Sequence, residues 1–166
     1  VPSVRLGYSS DGFQKNIVWM DEEIPNAGVY EWEVPDTIYR TVSIRIADAR
    51  DPSVFSETLA PFKICGTLSW TFLDQPESWT SGAEQVLQWK TGGTIPLVRL
   101  EYSQDEFQND VHLIHEAYAN QGQYSWKVPQ DLGGEILFRV TDVRDSEVRD
   151  VTLARAKILG TLQILT

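Results

Sequence analysis

The sequence predicts an all-β protein made of tandem β-sandwiches. Three observations support this prediction. The chain repeats itself at a constant interval of about 94 residues. Within each copy, apolar and polar residues alternate with the period of two that half-buried strands show, and clusters of Gly, Pro, Asn and Asp separate these runs. No window of helical length carries an apolar stripe, so sheets are favoured over helices.

The repeat is visible as a direct match between residues 1–72 and residues 95–166. The two segments align without a gap and share 29 identities in 72 positions. Because the chain has 166 residues, it holds one full period and 72 further residues. We therefore expect an incomplete copy at 1–64, a complete copy at 65–158, and at 159–166 the first strand of a further copy or a donor strand.

Seven strands are predicted in the complete copy, each marked by alternating apolar residues. Their apolar positions are Leu68/Trp70/Phe72, Leu87/Trp89, Val98/Leu100/Tyr102, Val111/Leu113, Tyr124/Trp126/Val128, Ile136/Phe138/Val140 and Ala154/Ala156/Ile158. Short strands separated by turns in this way are typical of immunoglobulin-like and fibronectin type III-like sandwiches of two antiparallel sheets. Cys65 is the only cysteine, so the intersheet disulfide of antibody domains is excluded, and we expect a small buried thiol.

The incomplete copy lacks a counterpart of residues 68–94, which hold the first two predicted strands and Trp89. Five strands remain, and the faces that carry Trp32 and Ile44 are short of a cover. We expect upstream polypeptide in a longer array to complete this copy. The alternative is strand addition between subunits by a C-terminal segment that matches residues 67–72. That segment consists of Thr161, Leu162, Gln163, Ile164, Leu165 and Thr166.

Composition and charge exclude several classes of function. The chain has 24 acidic residues against 14 Lys and Arg, a net charge of −10. This charge repels phosphate, so nucleic acid and anionic membrane surfaces are excluded as partners. Six Trp, six Tyr and six Phe are too many for a disordered acidic tail. No apolar run approaches the roughly 20 residues that span a bilayer, so no membrane insertion is expected.

Several short motifs identify a family resemblance. They are Trp79-Thr80-Ser81-Gly82, Leu87-Gln88-Trp89-Lys90 and Gly122-x-Tyr124-x-Trp126-x-Val128-Pro129, the last of which recurs at 28–35. With these motifs the chain resembles the tandem Ig-like repeats of large bacterial and archaeal surface proteins, related to the N-terminal domain of fungal Ser/Thr-rich GPI-anchored cell-wall proteins. One departure is that Phe13 and Phe107 lie in the Ser-x-Asp turns, where the family tends to have a further Gly and a Trp. The resemblance implies an Ig-like fold and an extracellular or cell-surface location more firmly than any activity.

No residue set for catalysis is present, so we expect a protein that is not an enzyme. The sequence has no Ser-His-Asp set, Gly-rich phosphate loop or H-E-x-x-H stretch. Four aspartates recur at a spacing of three residues in equivalent turns, namely Asp48 with Asp51 and Asp142 with Asp145. Such carboxylates either shape tight turns and pair with neighbouring Arg residues, or hold a calcium ion. No other cofactor is expected.

Two tryptophans are candidates for stacking on sugars. Trp79 lies in a predicted loop, and Trp19 lies beside the acidic run 21–23; packing at the junction between copies is the alternative for both. The sequence thus predicts a non-catalytic structural module of a secreted or surface protein, acting as a spacer or as a subunit of a filament, sheath or S-layer-like assembly. Its expected partners are copies of itself or neighbouring repeats. The alternative function is a carbohydrate-binding accessory module with glycans as partners.

Overall fold

The computed structural model describes residues 1–37 and 39–160, and these residues form strands and loops without a helix. They divide into two compact units, Val1–Cys65 and Gly66–Thr166, called unit 1 and unit 2 below. The predicted donor segment at 161–166 lies outside the described residues. In the described part of the chain, no helix of the length and apolarity needed to cross a membrane is found.

Unit 1 is a sheet of five antiparallel strands. The strands are β1 (Ser3–Ser9), β2 (Val18–Pro25), β3 (Tyr39–Asp48), β4 (Phe55–Glu57) and β5 (Phe62–Ile64). Their order is β2-β1-β3-β4, and β5 pairs with the first half of β3. Alternation places Tyr8, Val42 and Ile64 on one face of this sheet, where they form a buried cluster.

The described residues of unit 2, 66–160, form nine strands in two layers. They are β6 (Thr67–Trp70), β7 (Glu77–Thr80), β8 (Glu84–Gly92), β9 (Leu97–Ser103), β10 (His112–Ala119), β11 (Gln123–Lys127), β12 (Gly134–Asp142), β13 (Asp145–Val151) and β14 (Ala156–Leu159). The larger sheet has the order β10-β9-β12-β14-β7, with β13 also paired to β12. The smaller sheet has the order β11-β8-β6. Strand β7 runs parallel to β14.

The core of unit 2 lies between its two sheets. Leu87 and Trp89 reach it from β8, and Phe138 reaches it from β12; all three are buried. The ring of Trp126 on β11 has its centroid 5.2 Å from that of Phe138 and 5.5 Å from that of Tyr102. The larger sheet, which is antiparallel except for β7, packs on the antiparallel smaller sheet with inward side chains between them. This is a sandwich of the immunoglobulin and fibronectin type III class, so the predicted all-β sandwich fold is confirmed.

Several details of unit 2 differ from the sequence prediction. Strands β7 and β13 were not predicted, because each buries a single large apolar side chain, Trp79 and Val148 respectively, and therefore shows no apolar alternation. Val111 and Leu113 are exposed rather than inward, at the start of the edge strand β10. Cys65 is exposed rather than buried, because it points away from the face to which Ile64 contributes.

Residues 29–33, called the edge segment below, differ between the sequence prediction and the structure. The alternation of Tyr30, Trp32 and Val34 predicts a strand, but no described residue between 26 and 37 belongs to one. In unit 2 the corresponding strand β11 is held by an antiparallel ladder to β8. Unit 1 contains no counterpart of β8, so the edge segment has a strand pattern without the neighbouring strand that would pair with it.

Candidate assembly site

Unit 1 exposes side chains, in its sheet and beside it, whose counterparts unit 2 buries. Corresponding positions lie 94 residues apart. The pairs and their exposed fractions are Val34 at 55% against Val128 at 0%, Ile46 at 38% against Val140 at 0%, and Val54 at 51% against Val148 at 7%. Together with Phe62, which is also exposed, the unit 1 residues form the open face. Among the described residues of unit 1, no second sheet covers it.

A groove with a volume of about 180 Å³ lies on the same side of unit 1. Its lining is mostly apolar and includes Val4, Leu6, Ile24, Tyr30 and Ile46. Val4 and Leu6 are already buried, like their counterparts Val98 and Leu100 on β9, whereas Ile46 is 38% exposed and its counterpart Val140 is 0% exposed. The groove therefore reaches the open face at Ile46.

Two of the predicted assembly residues lie together beside this face. The centroid of the Trp32 ring is 5.4 Å from that of Tyr8, with the ring planes tilted by 42°. Ile44 packs against the buried cluster that contains the same Tyr8. The matching pair in unit 2, Tyr102 and Trp126, has a 5.5 Å separation and a 48° tilt. Unit 1 thus contains the same aromatic pair as the complete sandwich, in nearly the same geometry, but Trp32 is only half-buried.

Asn26 and Asn120 show the difference between the units at the level of single atoms. Asn120 Nδ2 donates to the carbonyl of Ile95 at 2.9 Å, and its Oδ1 accepts the indole N–H of Trp89 at 2.8 Å. Asn26 Nδ2 makes the equivalent donation to the carbonyl of Val1 at 3.1 Å. Within the part of the chain that the structure describes, Asn26 Oδ1 accepts no hydrogen bond, because unit 1 has no counterpart of Trp89.

Among the described residues, two edges of unit 1 are unpaired although their counterparts in unit 2 are paired. In unit 2, β8 pairs with β11, and β7 pairs with β14. The corresponding edges in unit 1 belong to the edge segment and to β5. Unpaired edges present backbone donors and acceptors that a further strand can use. The sequence prediction missed the second of these edges because it did not include β7.

An acidic rim runs along β2 and the edge segment. It consists of Asp21, Glu22, Glu23, Glu31, Glu33 and Asp36, and residues 21–36 contain no Lys or Arg. The hydroxyl of Tyr30 donates to Asp21 at 2.7 Å, and this hydrogen bond raises the pKa of the tyrosine above 10.0. The corresponding stretch of unit 2, residues 115–130, contains one Glu and one Lys. The acidic rim is therefore a property of unit 1 and not of the repeat in general.

The four candidate calcium ligands accept hydrogen bonds from their own turns. Asp48 and Asp142 each accept the backbone N–H two residues on, both at 2.9 Å. Asp51 and Asp145 do the same at 3.1 and 3.2 Å. This is the geometry of Asx turns. Among the described residues, no group of three or more His, Cys, Asp or Glu side chains is arranged to hold a metal ion.

The Ser-x-Asp turns at Ser9 and Ser103 are held by the same hydrogen bonds in both units. Ser103 Oγ accepts the backbone N–H of Phe107 at 2.8 Å, and the Asp105 carboxylate accepts those of residues 108–110 at 2.8 to 3.1 Å. The turn places Phe107 at a φ of 63°, in the left-handed region that non-glycine residues rarely adopt. These side chains therefore hold the backbone in an otherwise unfavourable conformation.

Stability is expected to fall on acidification because of these turns. The Ser9 hydroxyl and three backbone N–H groups lower the pKa of Asp11 below 3.8. Desolvation opposes ionisation of Asp105, but backbone N–H groups and Ser103 outweigh it and lower that pKa too. A lowered pKa stabilises the folded state above about pH 4, and this stability is lost as the pH falls through the folded pKa. Urea unfolding of unit 2 between about pH 2 and 7 should show this slope.

The matched variants for this pH dependence are Asp105→Asn and Asp74→Asn. Asp105→Asn should flatten the slope of unit 2 below about pH 4, since the carboxylate is then absent. Asp74 is exposed, and Asp74→Asn should leave the slope unchanged. An equal slope in all three proteins would contradict the role assigned to Asp105.

The two tryptophans predicted to stack on sugars lie in different environments. Trp79 belongs to β7 rather than to a loop, is 6% exposed, and packs against Phe72 and Phe138. Its ring therefore has little surface for a sugar. Trp19 is half-buried on β2, where the Arg5 guanidinium lies 4.4 Å from the ring centroid. Part of this ring also lies against β1 at Gly7, where a Cβ would be 2.8 Å from the indole.

Comparisons with known proteins add little to this description. No protein-family model and no curated protein matches the chain. Among solved structures, it is similar to the Clostridium thermocellum CbhA fibronectin(III)-like modules, with a TM-score of 0.34 and 12% identity over 96% of this chain and 78% of that chain. It is also similar to a chimeric titin Z1Z2-Z1Z2 tandem, with a TM-score of 0.35 and 11% identity over 97% of this chain and 86% of that chain. The fold assignment rests on the strand order and packing of unit 2.

Proposed function

We propose that the chain is a non-catalytic structural module of a secreted or cell-surface protein. It acts as a spacer or as a building block of a filament, sheath or S-layer-like assembly. In this proposal, strands from a neighbouring repeat complete unit 1. The observation that carries the proposal is the open face, whose positions are exposed in unit 1 and buried in unit 2.

The open face favours completion on energetic grounds. Taking a Val, Ile or Phe side chain from full exposure to full burial contributes about 1.5 to 3 kcal/mol. Val34, Ile46, Val54 and Phe62 are 37 to 55% exposed, so each would gain a part of this energy. Ordering the edge segment and immobilising the added strands offset part of this gain. Repeats in arrays stack because one repeat cannot bury its own apolar face, and unit 1 has this property.

The polar side chains of both units support a structural role. The turn aspartates accept hydrogen bonds from their own backbone. His112 stacks on Tyr102 with ring centroids 4.7 Å apart, and its Nε2 lies 2.6 Å from Asp110. These groups stabilise turns and strand ends.

A peptide with the sequence of residues 66–92 tests the proposal, because it contains β6, β7 and β8, the strands of unit 2 that have no counterpart in unit 1. Titrating the fluorescently labelled peptide with the intact chain should give saturable binding by anisotropy. Ile46→Asp should weaken binding at least about tenfold, since a carboxylate on the open face would be desolvated by the added sheet.

The matched control is Ser43→Asp, on the same strand as Ile46 but on the opposite face of the sheet. This variant should leave binding of the peptide unchanged. The proposal would be contradicted if the peptide did not bind, or if both variants weakened binding equally.

A further inference from the structure

We infer that the open face of unit 1 pairs with a strand segment whose sequence differs from that of β6–β8 in this chain. The segment corresponds to β6–β8, is basic at the outward positions opposite the acidic rim, and carries an inward Trp that donates to Asn26. This inference rests on the proposed function, because it specifies the partner of the same face.

The ladder of unit 2 supplies the register for the partner strand. Lys127 on β11 lies directly opposite Glu84 on β8. The unit 1 counterpart of Lys127 is Glu33. A strand with the sequence of β8 would therefore place Glu84 opposite Glu33, and like charges directly opposite each other destabilise a strand pair. A second copy of this chain is thus a poorly matched partner, and Lys or Arg at that position is favoured.

The acidic rim favours basic residues on the partner strand at further positions besides the one opposite Glu33. Glu31 is the next outward residue of the edge segment, and its counterpart in unit 2 is the uncharged Ser125. The rim contains six carboxylates, and the stretch 21–36 that supplies them contains no Lys or Arg. A partner with basic side chains along this border would neutralise the rim, and the attraction should weaken as salt is added.

The inner side of the partner strand is specified by Asn26 and Gly28. In unit 2, the backbone N–H of Trp89 donates to the carbonyl of Gly122 at 3.0 Å, while its indole N–H donates to Asn120. Gly28 is the counterpart of Gly122 and has a similar positive φ, 80° against 75°. Both acceptors for an incoming Trp are therefore present in unit 1.

The C-terminal segment 161–166 does not meet these requirements. Its sequence matches β6 and contains neither a Trp nor a basic residue. In unit 2, β6 lies on the far side of β8 from β11. A strand in the β6 position would not pair with the edge segment, so a complete partner must also supply the β8 position.

The charge requirement is tested with two peptides of residues 66–92, one native and one with Glu84→Lys. At about 20 mM NaCl, the Lys peptide should bind the intact chain about fivefold more tightly than the native peptide. At about 0.5 M NaCl this advantage should disappear. The chain variant Glu33→Lys should reverse the preference, because it restores opposite charges with the native peptide.

The hydrogen-bond requirement is tested with a third peptide, Trp89→Phe, which keeps an aromatic ring and loses the N–H. It should bind the native chain about fivefold more weakly than the native peptide. Against the chain variant Asn26→Ala, the two peptides should bind equally, since the acceptor is already absent.

The outcomes separate the inference from the proposed function. If all three peptides bind with equal affinity, the inference is overturned and the proposed function stands. If the native peptide binds most tightly at low salt, the partner is a second copy and the inference is overturned. If no peptide binds, both are overturned.

Discussion

Trp126→Ala is expected to destabilise unit 2 by about 3 to 5 kcal/mol, whereas Trp32→Ala should destabilise unit 1 by about 1 to 2 kcal/mol. The two residues are counterparts in the repeat. Trp126 lies between two sheets, is 6% exposed, and contacts Phe138 and Tyr102. Trp32 makes the matching contact with Tyr8, but the edge segment that carries it has no neighbouring strand like β8 among the described residues. Removing Trp126 therefore leaves a cavity, and removing Trp32 leaves a more exposed surface.

Urea unfolding followed by amide NMR signals assigned to each unit measures both changes. Signals from separate units are needed because a chain of two compact units does not have to unfold in one step. The informative quantity is the difference between the loss of unfolding free energy of unit 2 in Trp126→Ala and that of unit 1 in Trp32→Ala. Equal losses of about 3 kcal/mol or more in both units would mean that Trp32 is already packed as in a complete sandwich.

Val140→Asp is expected to unfold unit 2 or to destabilise it by about 4 kcal/mol or more, because an unpaired carboxylate would enter a dry core. Val140 is fully buried on β12. Its counterpart Ile46 on β3 is 38% exposed, and there water can solvate the new charge. Ile46→Asp should therefore cost unit 1 about 1 kcal/mol or less.

Circular dichroism and NMR spectra of the two Asp variants distinguish these outcomes. The Val140→Asp protein should lose the dispersed signals of unit 2 and keep those of unit 1. The Ile46→Asp protein should keep both sets of signals. Loss of the unit 1 signals in the Ile46→Asp protein would show that the open face is covered in the isolated chain.

The strand pattern of the repeat was readable from the sequence wherever burial alternates. The alternating apolar residues around Leu100 and Phe138 are buried, as is Trp126, and each of the three runs is a strand in the sandwich. Alternation failed at β7 and β13, where a single inward side chain carries the burial. It also misled at the edge segment, because a strand requires a partner in its ladder as well as a suitable pattern.

The candidate assembly site was predictable only in outline. Comparing the two copies showed that the first two strands were missing from unit 1, and it placed Trp32 and Ile44 on the face short of a cover. The acceptor at Asn26, which is free among the described residues, follows from the contact between Asn120 and Trp89 once that contact is known, because both residues are positions of the repeat. The contact itself depends on how the loop at Asn120 folds against β8, and neither composition nor periodicity predicts it. The acidic rim could be predicted from the sequence by comparing the charges of residues 21–36 with those of 115–130.

The environment of Trp79 illustrates the limit of sequence interpretation for surface sites. Its neighbours Pro76 and Ser78 suggest a loop, which would expose the ring. In the structure, β7 pairs with β14, and this pairing turns the ring onto Phe138. The parallel pairing joins residues about 80 positions apart, and local sequence cannot indicate such a long-range contact.

Hydrogen exchange of the edge segment, compared with β11 in the same molecule, tests the central claim most directly. The claim is that unit 1 is a sandwich lacking the strands that its counterpart possesses. In the intact chain, the backbone N–H groups of residues 29–33 should exchange nearly as fast as in an unfolded chain, and those of 123–127 should be strongly protected. Protection of residues 29–33 should appear when the peptide of residues 66–92 is added. Equal protection of the two segments in the chain alone would contradict the claim.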